Sequence, residues 1–259
     1  MEFRRTKRVA FKKNPLEVVI CQLRFADRLE IEAERPVQFQ ELVRSYFPSF
    51  SEQVQQVAPA VTDDVLKALG GMPRFGRTYL FSSADKKWEL SLARGAIALT
   101  CTAYTKWEQF AGMLFLGVDS MAKAYNIDSY TRVGLRYRDV VRRSSLDLQS
   151  RPWHELLRQR ALGLLGIPEF SDSVEGQEHH VLLRLDKFNA RVRIQHGLAI
   201  DNRTEEQCYV IDSDFYKESV AGDKNVRATL KYFNRQSGRL FRWFTRRLLR
   251  QSLDPYSPS

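Results

Sequence analysis

Four histidines, His154, His179, His180 and His196, are the side chains of this chain best suited to supply a general base or a metal ligand. None stands in HxxxH or HxH spacing with an acid on one predicted face, so they define neither a zinc site nor an acid–base pair. Asp212 and Asp214 form a DxD at an expected strand end. Two carboxylates on one strand face can hold a divalent ion, but without a third acid at defined spacing the pattern favours aspartates that cap backbone groups at a turn. Cys21, Cys101 and Cys208 lie far apart, form no CxxC and have no basic neighbour to activate them, so they read as small core residues of a cytoplasmic protein. Ser144-Ser145 and Ser171-Asp172-Ser173 lack a nucleophile elbow, and Gly70-Gly71 and Gly163–Gly166 form neither GxxxxGK nor GxGxxG. No catalytic residue, metal or cofactor is assigned, although an enzyme or small-ligand site of unrecognised type on a concave sheet stays open.

Charge is the strongest signal. The chain carries 41 Lys and Arg against 31 Asp and Glu, a formal +10, and residues 224–259 hold nine of those basic side chains against one acid, Asp254. A helix over residues 225–250 aligns Val226, Leu230, Phe233, Leu240, Phe241, Phe244 and Leu248 on one stripe. Lys231, Arg235, Arg239, Arg242 and Arg246 form the opposite face, with Trp243 beside them as the one aromatic candidate for a binding contact among Tyr104, Trp107, Trp153, Tyr209 and Trp243. Acidic neighbours four residues away would neutralise such a strip, and the helix has none. The strip is either a solvated outer face whose Arg stems cover apolar neighbours, or an anion-binding surface for nucleic acid or the acidic face of a partner protein. Gly238 weakens the helix by about 1 kcal/mol relative to Ala and marks a bend. Arg4, Arg5, Lys7, Arg8, Lys12 and Lys13 add a second basic cluster in an N-terminal arm too short and polar to fold alone.

With 259 residues, 43% of them hydrophobic, the chain can build one large domain or two intimately packed halves. No apolar h-region follows the basic start, which argues against a signal peptide or a membrane span. Leu16–Phe25 reads as a strand, and Pro36 opens an amphipathic helix through Phe39, Leu42, Val43, Tyr46 and Phe47 that Pro48 stops. Residues 48–77 are the least readable. Tyr79–Ser83, Trp88–Ala93 and Ala96–Tyr104 form an antiparallel meander. Thr105 and Glu108 have the spacing of a capping box for a helix through Trp107, Phe110, Leu114, Val118, Met121 and Tyr125. The second half repeats the order: strand Arg132–Val141, helix Pro152–Leu165, strands His180–Asp186, Asn189–His196 and Gln207–Tyr216, then the basic helix.

Gly134-Leu135-Arg136-Tyr137 echoes Gln22-Leu23-Arg24-Phe25, so Arg24 and Arg136 occupy equivalent positions. They either flank a ligand groove or each pair with a carboxylate such as Glu17 or Asp139. The expected fold is therefore α+β, a curved antiparallel sheet with helices in pseudo-duplicated β-α-β(3-4)-α halves, 14–128 and 129–253, joined as one pseudo-symmetric domain. This order resembles the helix-grip folds and the saddle of the TATA-binding protein, in topology only.

Asn14-Pro15-Leu16-Glu17-Val18, Ala103-Tyr104 with Trp107 and Phe110, Arg132–Tyr137, Asp212–Tyr216 and the stretch from Asn234 to Phe244 look like a sporadically distributed family of uncharacterised bacterial proteins of about this length. The resemblance spans nearly the whole chain. It implies a patchy distribution typical of mobile or defence loci, and hence a non-enzymatic component of an antiphage defence or toxin–antitoxin-like system that recognises a partner macromolecule. The Arg-rich region around Thr245 departs from the acidic or mixed final helix common in that family, which points to a partner peculiar to this protein. Direct nucleic-acid binding through the basic helix is the alternative.

Overall fold

The computed structural model describes residues 1–4, 9–55, 76–201, 204–223 and 225–257. Its strands are β1 (Ala10–Phe11), β2 (Leu16–Arg24), β3 (Ser49–Gln55), β4 (Gly76–Ser82), β5 (Trp88–Ala93), β6 (Ala96–Cys101), β7 (Tyr130–Val141), β8 (Glu178–Arg184), β9 (Arg191–Ile200), β10 (Gln207–Asp223) and β11 (Pro255–Tyr256). Its α-helices are α1 (Leu29–Ala33), α2 (Val37–Val43), α3 (Trp107–Tyr125), α4 (Trp153–Leu156), α5 (Gln159–Leu162), α6 (Pro168–Ser171), α7 (Val226–Phe244) and α8 (Arg247–Ser252). The fold is α+β. Nine strands form one antiparallel sheet in the order β3-β4-β5-β6-β2-β7-β10-β9-β8, while β1 pairs with β11. The expected strands all form, and β3 falls within the unreadable stretch, whose residues 56–75 lie outside the described residues. No helix among the described residues is long and apolar enough to cross a membrane.

The period of two along each strand sorts the side chains. Val19, Cys21 and Leu23 of β2, Val133, Leu135 and Tyr137 of β7, and Tyr209, Ile211 and Phe215 of β10 form one buried layer. Helix α3 packs against β6, and α7 against β7 and β10, so that both long helices cover this layer. The opposite face is open and charged. There Arg136 holds Asp212 through two hydrogen bonds of 2.8 and 2.6 Å, and Arg132 donates to Asp214 at 2.8 Å. Glu17 accepts from Arg138 and from Arg142, and Arg142 also donates to Asp201 at 2.5 Å.

These pairs correct two expectations. Asp212 and Asp214 lie in mid-strand, because β10 runs on to Asp223, and they hold arginines rather than capping a turn or sharing a metal ion. Arg136 takes Asp212 instead of Glu17 or Asp139, since Asp139 projects to the other side of the sheet. Arg24 lies on the same open face as Arg136 and donates to Gln22 at 3.3 Å.

Two helices that the sequence pattern makes continuous are both interrupted. The basic helix stops at Phe244, Thr245 and Arg246 are extended, and α8 follows. The expected helix 152–165 breaks at Leu157 and leaves Leu164 exposed. The two breaks are one event: Leu157 and Thr245 form an antiparallel bridge, flanked by Arg158 N–H donating to Phe244 O and Arg246 N–H to Leu156 O, each at 2.8 Å. Backbone groups freed by each break thus satisfy the other. Gly238 interrupts nothing, so the bend expected there occurs at Thr245 instead. Nor does the capping box form: Lys106 is the N-cap of α3, and the Thr105 hydroxyl donates to Gln109.

Gly197 in β9 marks a close approach, since a Cβ there would run into the Gln177 carbonyl that accepts the Leu198 N–H at 2.9 Å. Gly197→Ala is expected to lower stability by roughly 1–3 kcal/mol in urea denaturation. Gly176→Ala, where a Cβ meets nothing within 4 Å, should change it little; equal effects would contradict this packing.

Candidate binding cleft under the basic helix

Helix α7 is seated by its apolar stripe, with Val226, Leu230, Phe233, Leu240, Phe241 and Phe244 buried as the helical period requires. The N-terminal segment is docked beside it. Phe3 is buried, its N–H donates to the buried Gln236 Oε1 at 3.2 Å, and Lys12 N–H donates to Asp254 O at 3.0 Å beyond the β1–β11 pair. This arm is therefore no free tail, although Arg5, Lys7 and Arg8 lie outside the described residues.

Between α7, the segment from Val9 to Leu16, the loop from Tyr104 to Glu108, and β7 opens a cleft of about 800 Å³, a size that holds small organic ligands. Phe11, Leu16, Tyr104, Trp107 and Phe241 supply apolar walls. The Tyr104 and Tyr137 hydroxyls both donate to Asn234 Oδ1, at 3.3 and 3.0 Å. That leaves the Asn234 amide nitrogen without a hydrogen bond among the described residues. Gly238 widens the cleft, because nothing lies within 4 Å of where its Cβ would be.

Asp139 lies at the bottom of the cleft. It occupies an inward position of β7, is 6% exposed, and has no hydrogen-bond or ion-pair partner among the described residues. Burial, reinforced by the charge of Asp212, pushes its carboxyl up to about 8. Above it the cleft is bordered by Lys231, Arg235, Arg239, Arg242, Arg247 and Arg250. Of these, Arg239 is 3.7 Å from Glu2, and Arg250 donates to the carbonyls of Arg242 and Thr245. Lys231, Arg235 and Arg247 are exposed and have no carboxylate partner among the described residues. The Arg250 guanidinium is lowered from its ordinary value by burial and then by the cations of Arg242 and Arg158.

The structure brings four of the six basic-helix candidates together at this cleft, namely Lys231, Arg235, Arg239 and Arg242. Arg246 and Trp243 lie instead on a neighbouring groove with Arg158 and Arg160, where Arg246 donates to His154 O at 2.6 Å. Tyr104 and Trp107 therefore replace Trp243 as the aromatic surfaces of the cleft. Arg24 and Arg136 are on the other side of the sheet, and Arg4 is exposed. Asp139, Asn234, Arg247 and Arg250 are the residues that periodicity alone did not select, though an aspartate at an inward strand position is a visible break in the alternation.

Among the histidines, His196 and His179 pack together on the inner side of β9 and β8, while His180 is exposed beside Glu178. His196 is buried, stacks with His179 at 4.8 Å, and donates from Nδ1 to the Tyr209 oxygen at 2.8 Å while Tyr209 donates to Ala161 O. Burial, with His179 and His180 nearby, lowers His196 to about 4. No group of three or more His, Cys, Asp or Glu that could hold a metal ion occurs among the described residues. The three cysteines are buried free thiols, and burial raises the thiol of each.

No model of a known protein family and no curated protein matches the chain.

Asp139 imposes a pH-dependent cost with a definite sign. Its folded-state value is raised above the ordinary 3.8, so between about pH 4 and pH 8 the unfolded chain has lost this proton while the folded chain retains it. Stability contributed by the neutral carboxyl is thus lost as pH rises through that window. Asp139→Asn should gain stability relative to wild type as pH rises, by on the order of 2–5 kcal/mol at pH 8 compared with pH 4, read by urea denaturation. The His196 titration is common to both proteins and cancels. A difference that does not change with pH would show that Asp139 has a partner.

Proposed function

We propose that this is a non-enzymatic binding protein that recognises an anionic partner macromolecule across the basic lip of the α7 cleft. One contrast carries the reading. On the open sheet face Arg132, Arg136, Arg138 and Arg142 are each held by a carboxylate, whereas Lys231, Arg235 and Arg247 at the lip have no carboxylate partner among the described residues. A chain that neutralises one set of cations and leaves another clustered, with its self-repulsion, has a surface suited to an opposite charge. Nucleic acid is the second reading, supported by the Tyr104 and Trp107 rings beside those cations.

The pseudo-duplication belongs to the same proposal. An offset of 112 makes Gln22 equivalent to Gly134, and these two residues are register partners in the β2–β7 pair, as a two-fold axis between them would require. β2 pairs on its outer side with β6, and β7 with β10, each the last strand of the meander that follows it. This order supports the likeness to helix-grip and TATA-binding-protein topology. Buried free thiols support a cytoplasmic setting. The defence or toxin–antitoxin-like context rests on the family resemblance.

Lys231→Glu with Arg235→Glu, both exposed, should leave the fold intact and weaken capture of the partner by at least about tenfold at physiological salt, with less effect at high salt. The checks are light scattering and the 260/280 nm absorbance ratio of protein isolated from its host. Unchanged complex in the double variant would overturn the reading.

A further inference from the structure

We infer that the cleft is a nucleotide subsite, in which Asp139 hydrogen-bonds a nucleobase held between aromatic walls while the phosphate meets the arginines of the lip. This deepens the proposed function and rests on its basic lip, but not on its macromolecular partner.

The observations define the ligand by its chemistry. A carboxyl that opens onto the cleft and has no protein partner among the described residues calls for a group bearing N–H donors, which would take the place of water there. The walls are Phe11, Tyr104, Trp107 and Phe241, which call for a flat or apolar body. The lip is cationic, and guanidinium groups suit phosphate oxygens. A hydrocarbon acid would satisfy the lip and walls but leave Asp139 unsatisfied. A metal ion would be repelled by the lip, and Asp139 has no companion ligands among the described residues. An amino-bearing aromatic ring joined to a phosphate satisfies all three regions, and a nucleotide is that combination: carboxylates accept from exocyclic base amines, and bases stack on aromatic rings. The raised carboxyl of Asp139 adds that the free site holds a proton, which gives it both a donor and an acceptor for a base edge. The same chemistry is offered by a free mononucleotide and by the terminal or flipped nucleotide of a single strand.

The test uses the full chain, freed of nucleic acid at high salt, and calorimetric titration with AMP, GMP, CMP and UMP, with ribose 5-phosphate as the phosphate-only probe. At least one mononucleotide should bind about tenfold or more tightly than ribose 5-phosphate. Asp139→Val, which replaces an unpartnered carboxyl by a strand-favouring apolar side chain, should fold and erase that preference while ribose 5-phosphate binding stays unchanged. Gly238→Leu should keep or raise the melting temperature yet weaken the mononucleotide about tenfold or more by filling the cleft. Competition by a single-stranded oligonucleotide would assign the site to a strand, and absence of competition to a free nucleotide. Wild-type protein that prefers no mononucleotide over ribose 5-phosphate, or variants that both keep the preference, would overturn the inference. Loss of the Lys231 and Arg235 effect on macromolecular capture, with Asp139-dependent nucleotide binding intact, would sink only the broader function.

Discussion

Everything in this molecule depends on the antiparallel pairing of β2 with β7 at the centre of the nine-stranded sheet. Its register places Cys21 opposite Leu135 and Leu23 opposite Val133 on the helix side, and Arg24 opposite Arg132 on the open side. A slip of one residue would carry Arg132, Arg136 and Arg138 into the layer covered by α3 and α7, where unpaired cations cannot be accommodated. Apolar packing on one side and carboxylate pairing on the other thus enforce the same register. The open-face ion pairs join partly exposed arginines to carboxylates of which Asp201 and Asp212 are buried, and they make the alternative registers expensive.

Against that background the cleft is the place where the sheet breaks its own rule. Asp139 has the inward phase of Leu135 and Tyr137, so β7 carries a carboxyl into the layer that the helices cover. The layer accepts it because α7 and the docked N-terminal arm leave space there instead of packing closed. The break at Thr245 contributes by turning α8, and with it Arg247 and Arg250, toward the same opening. A straight helix to residue 250 would have carried these two arginines along the strip. Fold irregularity, buried polarity and unneutralised charge therefore coincide at one position, which is where a functional site is expected to violate local consistency.

Much of this was legible from the residues. The apolar, β-branched runs Leu16–Phe25 and Arg132–Val141, and the stripe from Val226 to Phe244, located the central strands and the helix that covers them. The interruptions at Leu157 and Thr245 were hidden, because each is stabilised by a partner about ninety positions away rather than by a local Pro or Gly signal. The cationic lip was half visible: Lys231, Arg235, Arg239 and Arg242 follow from helical phase, whereas Arg247 and Arg250 depend on the break. Trp243 lies within α7 but lines the neighbouring groove with Arg158 and Arg160 instead of the cleft. Asp139, a candidate partner for Arg24 or Arg136 by sequence, lies on the opposite side of the strand by the period of two.

A carboxyl without a counter-ion among the described residues thus sits at the base of a cationic cleft. The most direct measurement is the titration of the Asp139 side-chain carbon by NMR in the free protein. The account predicts a midpoint near the value of about 8 that burial and Asp212 impose. A midpoint near the ordinary aspartate value of about 3.9 would contradict it, because the carboxylate would then already be solvated or paired and the cleft would have no unmet demand for a ligand.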